Sequence, residues 1–65
     1  MIKLYTIHCP QCNVLKKKLD AKGIQYELVD DTVLLDQLGI EVFPILEVDG
    51  ERMMMRPAVD WVAAQ

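Results

Sequence analysis

Apolar and polar positions repeat along this chain with two different periods, and each change of period marks an element. Met1 to Ile7 (MIKLYTI) is apolar at nearly every position. That is the pattern of a strand covered on both faces within an α/β sheet, so a central position is expected. From Pro10 the spacing turns helical. Cys12, Leu15 and Leu19 fall at i, i+3 and i+7 on one stripe with Val14 flanking it, and Lys16, Lys17, Lys18 and Asp20 lie mostly elsewhere. Pro10 suits the first turn because no helical bond needs its missing N–H, and Gly23 is expected to close the helix as a left-handed cap. Period two returns in Ile24 to Val29, where Ile24, Tyr26 and Leu28 alternate with Gln25 and Glu27. A strand, helix, strand unit of this length pairs in parallel.

Asp30 or Asp31 is placed to cap a short second helix carrying Val33, Leu34, Leu35 and Leu38, which Gly39 closes. Ile45 to Val48 and Arg52 to Met55 then read as a hairpin around Asp49-Gly50, the pair that supplies the positive φ angles of a tight turn. Pro57 opens a last helix, with Ala58, Trp61, Val62 and Ala64 facing the sheet. The expected order is βαβαββα, an α/β fold with a mixed four-stranded sheet flanked by three helices. No connection is long enough for a linker, so residues 1–65 form one domain.

Composition narrows the function. Sixty-five residues give one modest core, since a chain this short buries only about 60% of its unfolded surface, and a large enclosed active site is not expected. The net charge of −3 speaks against nucleic acid, whose phosphates call for a basic face. No apolar run approaches the roughly 20 residues that cross a bilayer, and Met1 to Ile7 reads as a strand instead of a signal peptide. A cytoplasmic monomer is expected.

Both cysteines lie within four residues, in His8-Cys9-Pro10-Gln11-Cys12. In the loop-entropy picture so short a ring contributes roughly 2 kcal/mol, less than a bridge between remote segments, so stability is a poor reason for the pair. Chemistry is a better one. Just ahead of Pro10, Cys9 occupies the helix cap, where unpaired N–H groups and the positive end of the dipole favour an anion, as a nucleophilic thiolate requires. Cys12, one turn further in, is expected to be more buried and less ionised, as suits a resolving thiol. His8 is a candidate to stabilise the thiolate or relay a proton. The same CxxC is also half of a zinc site, which needs about four ligands, so zinc or an iron–sulfur cluster would require a second chain; no metal and no cofactor is assigned.

HCPQC after an apolar strand, then Val42-Phe43-Pro44, then Asp49-Gly50 in a hairpin, resembles the glutaredoxin branch of the thioredoxin superfamily over essentially the whole chain. The resemblance implies a thioredoxin fold and a dithiol–disulfide oxidoreductase acting in electron transport and cell redox homeostasis. Cys9 would be the nucleophile and Cys12 the resolving thiol. It also implies a cis peptide between Phe43 and Pro44, beside which an extended disulfide-bearing protein substrate pairs, so His8, Pro10, Gln11, Phe43 and Pro44 are the substrate-binding candidates. Gln11 replaces the Tyr of CPYC, and Met53 to Pro57 stands where glutathione-binding members carry Gly-Gly. Gln11 with Arg56-Pro57 is similar to the small hydrogen donors of ribonucleotide reductase, recharged by thioredoxin reductase instead of glutathione, although three methionines replace the aromatic and glycine stretch those donors carry. A redox-inactive binding module on the same fold is the other class of function open to this pattern.

Overall fold

The computed structural model describes residues 1–65. Its order is β1 (Ile2–Tyr5), α1 (Pro10–Ala21), β2 (Glu27–Val29), α2 (Thr32–Gln37), β3 (Ile45–Val48), β4 (Glu51–Met53) and α3 (Met55–Ala63), the βαβαββα order expected. The sheet runs β2-β1-β3-β4, with β1 parallel to β2 and antiparallel to β3, and β3 antiparallel to β4. No helix is long and apolar enough to cross a membrane.

Alternation along the two inner strands explains why β1 is apolar almost throughout. Leu4 and Leu46 are register partners, and both enter a cluster with Leu15 and Leu19 of α1 and Ala58 and Val62 of α3. Their neighbours Tyr5 and Ile45, also partners, join Leu35 of α2 and Ile40 in a second cluster. Successive side chains point to opposite faces of a strand, so α1 and α3 cover one face of the sheet and α2 the other.

Several boundaries differ from the sequence reading. The first strand stops at Tyr5 instead of Ile7, because Thr6 to Cys9 must climb off the sheet to reach the helix start. The second strand begins only at Glu27. Ile24 and Tyr26 still pack on the core, yet β2 is an edge strand with a neighbour on one side only. Met55 belongs to α3 instead of β4: the helix starts two residues before Pro57, which sits in the first turn where its missing N–H breaks no bond, the first helical donor being Ala58 N–H to Met54 C=O at 2.9 Å. Ala64 lies past the end of α3 and is exposed. Of the apolar residues on α2, only Leu35 is buried, since six residues turn little more than one stripe to the sheet.

Candidate functional site

The site is built where β1 hands over to α1. Gly23, at φ +68°, closes the far end of that helix: its N–H donates to Asp20 C=O and the N–H of Ile24 to Leu19 C=O, the double bond of a Schellman cap. At the near end Cys9 is the N-cap, with extended backbone (φ −73°, ψ 164°), and Pro10 is the first helical residue. Cys9 Sγ accepts the Cys12 N–H at 3.1 Å, the bond that a capping serine oxygen usually takes, so the sulfur lies among unpaired N–H groups at the positive end of the helix. Cys12 follows one turn in, 1% exposed, on the same stripe as Leu15 and Leu19. The two cysteines are paired as a disulfide, with Cα atoms 5.0 Å apart, one sulfur at the surface and the other against the core.

An open groove of about 490 Å³ runs past the outer sulfur, lined by Ile7, Cys9, Pro10, Gln11, Glu41 and Phe43. Four of the expected site residues, Cys9, Pro10, Gln11 and Phe43, therefore share one surface, with Cys12 beneath it. Pro44, after a cis Phe43–Pro44 peptide, is fully buried and does not line the groove.

His8 goes elsewhere. Its backbone is left-handed (φ 59°), its N–H donates to Thr6 Oγ1 at 3.0 Å, and its ring Nε2 meets Asp30 Oδ2 at 2.9 Å just past the end of β2. The side chains of His8 and Asp30 are both about half exposed, and His8 does not line the groove. No three His, Cys, Asp or Glu side chains come close enough together to hold a metal ion, so the donor set of a single chain at this pair is two thiols.

Three residues here escaped the sequence reading. Ile7 continues the apolar run of the first strand in sequence, although it lies beyond Tyr5 and opens onto the groove. Glu41 is two residues before Phe43, but the chain bends at residues 42–43, so no strand alternation in the sequence marks it as a neighbour of the groove. Thr6, 2% exposed, had none: a buried hydroxyl that turns the chain toward the helix is visible only in three dimensions. The chain matches no protein-family model, and no curated protein sequence matches it.

Proposed function

We propose that this chain is a dithiol–disulfide oxidoreductase, a glutaredoxin-like redoxin of the thioredoxin fold, with Cys9 as nucleophile and Cys12 as resolving thiol. One observation carries the reading: Cys9 Sγ caps α1 at the mouth of an open groove, while Cys12 lies buried one turn behind it within bonding reach. The βαβαββα order, the sheet order β2-β1-β3-β4 and helices on both faces support the fold assignment.

In the reduced protein the Cys9 thiolate attacks one sulfur of a substrate disulfide. The substrate S–S bond breaks, a Cys9–substrate S–S bond forms, and the second substrate sulfur leaves as a thiolate that takes a proton from water. Cys12 then gives up its proton and attacks Cys9 Sγ, releasing the first substrate sulfur. Two electrons have passed to the substrate, and the Cys9–Cys12 disulfide is left. Glutathione, or NADPH through a flavoprotein thioredoxin reductase, returns two electrons; Gln11 and Arg56-Pro57 favour the second route. A client such as ribonucleotide reductase fits the same cycle.

The experiment is insulin reduction by wild type, Cys9→Ser and Cys12→Ser, with dithiothreitol, the glutathione system and thioredoxin reductase compared side by side. Cys9→Ser is expected to be inert, and Cys12→Ser to stall as a mixed disulfide visible by mass. Iodoacetamide should reach Cys9 before Cys12 near neutral pH. A folded wild-type protein inert with every reductant would leave only a binding module.

A further inference from the structure

The groove beside Cys9 carries one charged side chain. Of its six lining residues, Ile7, Pro10 and Phe43 are apolar, Gln11 is neutral, Cys9 is the reacting group and Glu41 is the only fixed ion. Glu41 is exposed and forms no ion pair within 4 Å. The one cation that shares an adjoining hollow with Glu41 is already engaged: Arg52 reaches Glu47 at 3.4 Å and lies over the Tyr5 ring at 5.8 Å. The hollow on the other side, joined to the groove through Ile7 and Phe43, adds Asp36. His8 is turned to Asp30. The positive end of α1 is the one feature that attracts an anion here, and Cys9 Sγ already occupies it through the Cys12 N–H. A second anion entering the groove would find no cation and would meet Glu41.

We propose that Glu41 sets the substrate class of this groove: it selects disulfides flanked by a cationic residue, Lys or Arg beside the cystine of a polypeptide, and disfavours anionic disulfides such as oxidised glutathione. The inference rests on the redox reading above and adds the identity of the residue that discriminates. A single exposed charge beside the reacting sulfur is expected to change the rate for a charged disulfide about threefold, and less as salt rises.

The test oxidises the pre-reduced protein in single turnovers with three small disulfides: cystamine (cationic), 2-hydroxyethyl disulfide (neutral) and 3,3′-dithiodipropionate (anionic). The fraction oxidised is read by alkylation and mass. Each rate is divided by that of the neutral disulfide, and the cystamine to dithiodipropionate ratio is compared between wild type, Glu41→Gln and Glu41→Lys, so that leaving-group differences between the reagents cancel. The ratio is expected to fall at least threefold in Glu41→Gln and further in Glu41→Lys, and the differences to shrink as salt rises. A ratio that stays the same in both variants while the neutral disulfide is reduced overturns the role of Glu41 and leaves the redox reading standing. A protein that reduces none of the three overturns both.

Discussion

Cys9 does at the start of α1 what serine or aspartate does at other helices, accepting an inward N–H, but with an atom that can also be a nucleophile. One residue thus satisfies a local structural rule and the placement the proposed chemistry calls for, which is why the cap position of Cys9 is legible at this scale. His8 illustrates the limit. Adjacency to Cys9 made it a candidate partner of the sulfur, whereas a left-handed backbone, held by the buried Thr6 hydroxyl, delivers its ring to Asp30, 22 residues away. The tyrosines carry a pH signature. Burial pushes Tyr5 up, with Glu47 adding to it, and burial together with the hydrogen bond from Tyr26 Oη to Asp20 Oδ1 (2.9 Å) pushes Tyr26 up to about 12 from 10.0. The fold holds the neutral phenol of Tyr26, so this contribution to stability is complete below pH 10.0 and is lost as pH rises to about 12. Absorbance at 295 nm should therefore keep rising above pH 10, and Tyr26→Phe should remove the latest step; ionisation of Tyr26 complete by pH 10 would contradict the assignment.

At the scale of elements, caps decide more than propensity. The six-residue α2 is too short to persist by itself, and Asp31 secures its start by accepting the N–H groups of Val33 (3.0 Å) and Leu34 (3.3 Å) through Oδ1. Asp31→Ala is expected to destabilise the protein by about 1 kcal/mol in urea unfolding and to raise amide exchange selectively over residues 32–38. Uniform exchange across α1 and α2 would show that α2 is held by Leu35 packing instead of its cap. The hairpin was readable for a similar local reason. Asp49 (φ 51°) and Gly50 (φ 88°) take the left-handed backbone that a two-residue turn demands, and Val48 pairs with Glu51 directly across it. The start of α3 is not fixed by Pro57, which is allowed anywhere in a first turn and so does not say which position of that turn it fills.

For the whole molecule, 65 residues support two small clusters on opposite faces of one sheet. Total stability for a chain of this length is expected at roughly 3–10 kcal/mol, so single core positions matter. Leu46, fully buried where β3 faces α1 and α3, is expected to lose about 2–5 kcal/mol on Leu46→Ala, with a lower urea midpoint. A loss below 1 kcal/mol would mean that this cluster is loosely packed. Both strands that carry the core, β1 and β3, also bring Thr6–Cys9 and Phe43–Pro44 to the same end of the sheet, so the packing that stabilises the sheet also positions the groove.

The order of elements, the N-cap position of Cys9 and the burial of Cys12 were settled by the chain alone, because each follows from spacing within a few residues: an apolar run, a proline one position after a cysteine, a repeat of three and four. The company those residues keep was decided by the tertiary structure. Glu41 and Phe43 lie more than 30 residues from Cys9, His8 is 22 from Asp30, and nothing in local periodicity says which distant side chains a sheet will bring together at one end. Contacts of that kind depend on register and on where two layers meet, which only the folded chain determines.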